Sequence, residues 1–402
     1  MKSQWKIYQL GDVTEIVNGG TPKSEVSEYW DGDVLWITPK DMGQAKNVFV
    51  STTSRTISKL GLQKSSAKLI PKNSVILSTR APIGHLIINL QEMATNQGCR
   101  GLIPKNNLDT KFLFYFLKSN IKLLNDLGTG TTFKELSKSA LEKIKIPVPP
   151  IEEQKRIVEI LDKAFEGIAQ AEANTRRNLI NARELFDSYL NQVFTNYAHH
   201  YNFISLNNLT ELITKGSSPK WQGINYVEHP GVLFVTSENV GVNELIFEKT
   251  KYVEEKFNKK DSKSILKKGD VLTNIVGASI GRTAIFTREE TANINQAVCL
   301  IRCLPDKLFN QYICYLLNSP YFRKILHENE VNTARANLSL TFFRNLEIPV
   351  PTLEEQKNIV NRISKTIQKT QKLETIYQRK LEAIAELKQS ILEKAFTGQL
   401  SQ

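Results

Sequence analysis

The sequence predicts an α+β protein: two similar α+β globular domains, each followed by a long helix, with the two helices paired as an antiparallel coiled coil. Three observations lead there. A thirteen-residue segment occurs twice, Ile146-Pro147-Val148-Pro149-Pro150-Ile151-Glu152-Glu153-Gln154-Lys155-Arg156-Ile157-Val158 and Ile348-Pro349-Val350-Pro351-Thr352-Leu353-Glu354-Glu355-Gln356-Lys357-Asn358-Ile359-Val360, at an offset of 202 residues. Each copy precedes about 45 residues without proline. The stretches before the two copies share an order of strand-like and loop-like segments. Such self-similarity across half the chain is a tandem duplication, and it fixes the architecture before any single element is considered. The implied boundaries are 1–150 for the first globular domain, 151–197 for the first helix, 198–352 for the second domain and 353–402 for the second helix.

The first domain opens with Leu10 to Val17, a short apolar segment before the loop Asn18-Gly19-Gly20-Thr21-Pro22-Lys23. Tyr29-Trp30-Asp31-Gly32-Asp33 is a turn signal, and Val34 to Thr38 reads as a buried strand. Val75 to Ser78 is a second strand, followed by the loop Arg80-Ala81-Pro82-Ile83-Gly84 and an apolar run at Leu86-Ile87-Ile88. Residues 109–127 carry Phe112, Tyr115, Phe116 and Ile121 at helical core spacing. The second domain repeats this order. Leu209 to Leu212 corresponds to Val13 to Ile16, Val232 to Thr236 to the strand at Val34, and Gly269 to Leu272 to the strand at Val75. Ala278 to Gly281 corresponds to Ala81 to Gly84, and Tyr315 to Ser319 to Tyr115 to Ser119. The framework repeats while the loops differ, as expected of two units of one design that read different things.

In both copies of the repeated segment the prolines block helix from upstream. The paired glutamates then sit in the first helical turn, where the helix dipole favours them. Thr352 with Glu355 fits a capping box, whereas Pro150 occupies the matching place in the first copy. At 1.5 Å per residue each helix is roughly 65 Å long. A heptad frame runs through Ile157, Leu161, Ala164, Ile168, Ala171, Thr175, Asn178, Ala182, Leu185 and Tyr189, and 202 residues later from Ile359 to Ile391. A seam at this spacing needs a partner helix, and the other copy supplies it. Asn178 and Lys380 would be polar residues at equivalent seam positions. A domain of about 155 residues has a radius of gyration near 15 Å. It returns the chain beside the end of the first helix more readily than to its start, so antiparallel pairing is expected, with the globular domains at opposite ends.

The 402 residues are 41% hydrophobic and 23% charged, an ordinary globular composition with material for two cores. No apolar run has the length of a signal peptide or a membrane span, so a cytoplasmic protein without membrane contact is expected. The four cysteines form no CxxC pair. Cys99 and Cys299, which follow Asn96-Gln97 and Asn295-Gln296, read as buried strand residues. The net charge is +12; the helical stretches hold −2 and +3, leaving +11 in the globular domains. That distribution points to a polyanion meeting the globular domains while the helices act as near-neutral spacers.

The proline–EEQ–long-helix unit behind two such domains resembles the specificity subunit of Type I restriction–modification enzymes. Gly20-Thr21-Pro22, Tyr29-Trp30-Asp31-Gly32, Trp36-Ile37-Thr38 and the tail Ala395-Phe396-Thr397-Gly398-Gln399-Leu400 resemble that family too. The resemblance covers essentially the whole chain. It implies that each globular domain is a target recognition domain reading one half of a bipartite site in double-stranded DNA. It further implies that the helices set the spacing and bind two methyltransferase subunits, and that endonuclease–translocase subunits join the assembly. No cofactor is then expected in this chain; S-adenosylmethionine, ATP and Mg belong to partner subunits.

Two rival classes are a stand-alone DNA methyltransferase and a protein-binding coiled-coil scaffold. Asp126-Leu127-Gly128-Thr129-Gly130 looks superficially like a methyltransferase cofactor loop. Lys122, Asn125 and Asp126 interrupt the apolar strand such a loop needs, the next glycine position holds Thr132, and no N-P-P-[FY] motif occurs. No carboxylate cluster suited to two-metal hydrolysis is visible, and His199-His200 reads as a solvated linker pair. The scaffold reading leaves the +11 of the globular domains without a purpose.

Candidate DNA contacts are loop residues with basic, amide or hydroxyl groups: Lys23, Lys40, Arg80, Thr131 and Lys134 in the first domain, and Lys220, Asn239, Ser279, Arg282, Arg335 and Asn337 in the second. Arginine and lysine suit guanine edges and asparagine suits adenine in the major groove. For each, the plain alternatives are a solvated surface residue or a phosphate contact that carries no sequence information.

Overall fold

A computed structural model describes residues 5–130, 134–331 and 336–400, and of residues 198 and 199 the backbone alone. The chain forms two compact units, one comprising residues 1–175 and 379–402, the other residues 176–378. The long helices, Ile151–His200 and Leu353–Phe396, therefore contribute to both units.

Both units are built alike. In the first, Thr14–Asn18, Cys99–Pro104, Val75–Thr79, Ile83–Asn89 and Phe49–Val50 form a five-stranded sheet in that order. A smaller sheet is ordered Arg55–Ile57, Trp30–Ile37, Ala94–Thr95, its last pair parallel. In the second, Thr210–Lys215, Val298–Cys303, Val271–Asn274 and Thr283–Ile285 make the larger sheet. Tyr226–Val227, Tyr252–Val253, Val232–Val235 and Ala292–Ile294 make the smaller. The expected strands at Val34, Val75, Val232 and Val271 are all present. The helix expected over 109–127 is divided at Asn120 into Thr110–Ser119 and Ile121–Asp126. Asn120 turns its amide back onto Phe116 O at 2.8 Å, competing with the helical ladder.

The repeated segment closes each unit. Lys145–Val148 pairs antiparallel with Lys6–Gln9, and Glu347–Pro349 with Phe203–Ser205. The helix start then follows. The capping box at Thr352 is formed: its amide donates to Glu355 Oε2 at 2.9 Å and its hydroxyl accepts from Glu355 N at 3.4 Å. The Thr352 contacts hold the Glu355 carboxyl below its ordinary range.

The glutamine of each segment has a role that its motif did not reveal. Gln154 is fully buried. Its Oε1 accepts from Asp109 N at 2.8 Å, and its Nε2 donates to Asn107 O at 2.9 Å and Pro149 O at 2.8 Å. Gln356 repeats the pattern with Phe309 N at 2.8 Å, Lys307 O at 3.1 Å and Pro351 O at 2.9 Å. Each glutamine thus pins the start of a long helix to the loop before the helix Thr110–Ser119 or Asn310–Asn318. Those helices carry the cores: Phe112, Leu113 and Phe116 cluster with Ile157, Leu161, Leu392 and Ala395, and Tyr312, Ile313 and Leu316 with Leu190, Phe194, Ile359 and Ile363.

The helices pair antiparallel. Within the first unit Lys388 bonds Glu172, and within the second Arg183 Nε meets Glu374 Oε1 at 2.9 Å. As position rises on one helix it falls on the other. Part of the expected seam is displaced by one residue. Leu161, Ile168, Thr175, Ala182 and Ile384 face inward as expected. Asn178, Leu185, Leu373, Lys380 and Leu387 are exposed, and the half-buried positions are Leu179, Phe186, Glu374, Leu381 and Lys388. A 3.5-residue repeat can alternate steps of three and four in either order. The four-then-three order places Phe165, Leu179 and Phe186 on the buried stripe, which is larger and more apolar than Ala164, Asn178 and Leu185. Asn178 and Lys380 are consequently not seam residues.

Candidate nucleic-acid interface

In each unit one end of the larger sheet gathers the loops that carry the candidate residues. Close backbone approach makes this possible. A Cβ on Gly19 would lie 1.9 Å from Asn96 O, and one on Gly216 would lie 1.7 Å from Ile294 O. Only glycine lets the loop after the first sheet strand lie against the turn before the second. Lys23 and Lys220 each follow that glycine by four residues and are exposed at equivalent places.

In the first unit two tryptophans fasten this loop. Trp36 Nε1 donates to Gly20 O at 3.0 Å and Trp30 Nε1 to Lys23 O at 3.1 Å. The rings meet edge to face at 5.1 Å, with the Arg55 guanidinium 3.7 Å from the Trp30 centroid. The tryptophan-bearing motif is therefore a brace for the Lys23 loop rather than a contact surface of its own.

Arg80 and Lys134 are brought together. Residues 134–136 run beside the end of the strand Val75–Thr79, with Leu136 N donating to Thr79 O at 2.9 Å and an antiparallel bridge between Arg80 and Glu135. Arg100, almost buried, supports this segment from beneath: it bonds Leu136 O, sits 3.7 Å from Glu135, and reaches Asn18 Oδ1 at 3.1 Å. Burial pulls its pKa down from the ordinary arginine value, and Glu135 opposes that pull. Arg80 and Lys134 are exposed. Lys40 is exposed in the first turn of the helix Pro39–Gln44. That turn approaches the same edge, since a Cβ on Gly98 would lie 3.1 Å from Pro39 Cγ.

The second unit assembles the corresponding set differently. Residues 336–338 run beside Ile275–Gly277, with Gly277 N to Ala336 O and Leu338 N to Ile275 O both 2.9 Å. Arg282 is exposed and directly follows Gly281, whose φ is +83°. Ser279 is half-buried in the short turn Gly277–Ser279, its carbonyl accepting from Arg282 N at 3.2 Å. Asn337 is half-buried, and its Oδ1 has no hydrogen-bond partner among the described residues. Thr131 and Arg335 lie outside the described residues.

Asn239 is placed elsewhere. It is 4% exposed and both ends of its amide are engaged. Oδ1 accepts from Thr236 N at 2.9 Å, and Nδ2 donates to Ile246 O at 2.9 Å and Lys249 O at 3.2 Å. It occupies the place that Asp41 holds in the first unit, where Thr38 N donates to Asp41 Oδ2 at 2.9 Å. Asn239 therefore holds a turn and has no free edge for a base.

Two residues absent from the sequence-based set share this edge. Gln97 and Gln296 are exposed at the tips of matching turns. In those turns Asn96 Oδ1 accepts from Gly98 N at 3.0 Å and Asn295 Oδ1 from Ala297 N at 3.1 Å. The duplicated Asn-Gln pair was the signal available for them.

The segment Asp126–Gly130 follows the helix Ile121–Asp126 rather than a strand, and Thr129 bridges to Glu135. Cys99, Cys299 and Cys314 are buried and Cys303 is half-buried. Burial pushes the Cys299 and Cys314 thiols up to about 12. Among the described residues no group of three His, Cys, Asp or Glu side chains is placed to hold a metal. No helix among them is long and apolar enough to cross a membrane.

Two copies of one α+β unit, each exposing basic and amide side chains at the same sheet edge, define a duplicated recognition protein. Comparison with known proteins gives the family. The model of the Type I restriction modification DNA specificity domain matches residues 2–182 and again 200–383. The MjaIX specificity subunit of Methanocaldococcus jannaschii is 36% identical over 159 residues, which are 39% of this chain and 37% of that protein. The MjaVIII specificity subunit of the same organism is 24% identical over 98% of this chain and 93% of its own length. The EcoKI specificity subunit of Escherichia coli K12 is 24% identical over 99% of this chain and 89% of its own. In fold, the chain is similar to one in a structure described as addressing complex assembly and conformational transition of the type I R-M system, with TM-score 0.75, 21% identity and 98% of both chains covered. The HsdS subunit from Thermoanaerobacter tengcongensis gives TM-score 0.63 at 21% identity, over 99% of this chain and 98% of that one. The chain belongs to the Type I restriction–modification specificity subunits, and its two globular domains are DNA specificity domains.

Proposed function

We propose that each globular domain reads one half of a bipartite duplex DNA site, and that the long helices set the distance between the halves. The observation that carries this reading is the repeated framework with unlike loops at one sheet edge. The frameworks position; the loops differ in the groups they present, Arg80 and Lys134 in one unit against Ser279, Arg282 and Asn337 in the other. Lys23, Lys40, Arg80, Thr131 and Lys134 form the proposed contact set of the first unit, and Lys220, Ser279, Arg282, Arg335 and Asn337 that of the second. Arginines there suit guanine edges, and lysines at the loop margins suit phosphates. The +11 held by the globular domains supports a polyanionic partner.

The chain is, on this reading, a non-catalytic cytoplasmic subunit. Its helices bind two methyltransferase subunits, and endonuclease–translocase subunits join that assembly. S-adenosylmethionine, ATP and Mg are taken by those partners and not by this chain. The test has two arms. The purified chain is incubated with labelled S-adenosylmethionine and DNA, where no methyl transfer is expected; transfer at enzymic rates overturns the reading. A gel shift at two salt concentrations should show binding that weakens with salt, and the absence of any binding by the chain in complex with its methyltransferase subunits overturns it as well.

A further inference from the structure

Trp221 is 83% exposed, the most exposed large apolar side chain among the described residues. The other tryptophans are buried or half-buried. It stands at the centre of the turn Lys220–Gln222, on the loop that leaves Gly216 at the candidate DNA edge.

That turn is heavily braced. Gln222 N and Ile224 N both donate to Pro219 O at 3.0 Å, and Gly223 N donates to Lys220 O at 3.2 Å, with Gly223 at φ +64°. The Gln222 side chain bonds Ser217, whose hydroxyl donates to the buried Asp261 at 2.6 Å. Lys260 Nζ caps Gln222 O at 2.7 Å. Polar contacts thus fix the backbone on either side of the indole, while among the described residues the ring makes no aromatic or cation contact. A fold that immobilises a turn and leaves its largest apolar group in water has prepared that group for a partner.

The surroundings identify the partner. Lys220 directly precedes Trp221 in the chain and is exposed, and Lys259 and Lys263 are exposed on the segment that braces the turn. None of the three is in an ion pair among the described residues. A flat apolar ring on a loop that also carries an exposed lysine without an ion-pair partner among the described residues suits a ligand with anionic groups and apolar faces together, as DNA has in its phosphates, deoxyribose rings and bases. The first unit has Ser24 at the matching place, five residues after Gly19. We propose that Trp221 is an apolar DNA anchor of the second unit alone, packing against the apolar face of a nucleotide while Lys220 meets a neighbouring phosphate.

The inference rests on the reading that the second unit binds DNA. The full chain, in complex with its methyltransferase subunits, is titrated onto a labelled duplex carrying the sequence the complex methylates, at two salt concentrations. Trp221→Ala should weaken binding roughly 5- to 150-fold, the range of aromatic–base contacts, and Trp221→Phe should weaken it less. The salt slope should stay as in the wild type, because an apolar contact releases no counterions, whereas Lys220→Ala should reduce the slope by about one. Thermal unfolding of both tryptophan variants should match the wild type, since the ring supports no packing. Affinity of Trp221→Ala within twofold of the wild type, or equal losses for the alanine and phenylalanine variants, overturns the proposal. If Arg282→Ala weakens binding while Trp221→Ala does not, this inference fails and the DNA-reading function stands. A complex that binds no DNA fails that function itself.

Discussion

Replacing Gln154 by alanine should destabilise the first unit as a core lesion does. The side chain is 0% exposed and makes three hydrogen bonds of 2.8–2.9 Å to backbone groups of Asn107, Asp109 and Pro149. Truncation leaves one buried N–H and two carbonyls short of a partner, at about 1–3 kcal/mol for each unpaired group. Partial relaxation of the loop offsets some of this, giving a loss of about 3–5 kcal/mol. For a unit of this size each kcal/mol lowers the melting temperature by about 2–4 °C, so a fall of about 10 °C is expected. Gln154→Glu supplies a sharper version. It replaces the donating Nε2 with an oxygen facing two carbonyls, so at neutral pH it should be worse than alanine. Burial and those carbonyls raise the introduced carboxyl's folded-state pKa above its unfolded value near 4.3. Its folded state therefore binds the proton more tightly. Stability is greatest below that unfolded value and falls as pH rises through the raised folded one. The gap to the wild type should narrow between pH 7.5 and pH 5. Urea and thermal unfolding measure the totals, and hydrogen exchange at the Asp109 amide reports the lost bond directly. A loss below 1 kcal/mol in Gln154→Ala, with Asp109 still protected, refutes the pinning role.

Asn239→Ala should behave as a core lesion of the second unit, lowering stability by about 2–3 kcal/mol, without relaxing base discrimination in a selection from random half-sites. Arg80→Ala and Arg282→Ala should each weaken specific binding: loss of a guanine contact costs about 1–3 kcal/mol of discrimination at one position, whereas loss of a phosphate contact weakens all sequences alike and lowers the salt slope by about one. Inserting four residues in both helices, near Asn178 and near Lys380, adds about 6 Å and rotates the downstream part of each helix by some 40°; an assembled variant should prefer a spacer longer by one or two base pairs, and an unchanged spacing means that the helices are not the ruler.

Local chemistry made the architecture legible. Proline stops, acidic first turns and the Thr352–Glu355 cap are read from neighbours in sequence, and duplication supplied each reading twice. What failed needed partners distant in sequence. Gln154 and Gln356 bond loops 45–49 residues away, so nothing beside them in the chain shows that they are buried. The heptad frame located most of the seam and misplaced part of it, because Asn178 and Leu185 fit a 3.5-residue repeat as well as Leu179 and Phe186 do, and only bulk at the interface separates them. Asn239 passed as a loop amide because its counterpart is Asp41, an acid at the same turn, and composition does not expose that equivalence. Trp221 was not legible because its neighbours, Lys220 and Gln222, carry no pattern that tells an exposed tryptophan from a packed one.

Half-site exchange shows whether each unit reads its own half of the site. Residues 1–150 are replaced by the corresponding domain of another specificity subunit, the chimaera is assembled with its methyltransferase subunits, and the methylated sequences are determined across a library of sites. One half of the recognised sequence should change to that of the donor, while the other half and the spacer length remain. A change in both halves, or in neither, contradicts the assignment of one half-site to each unit.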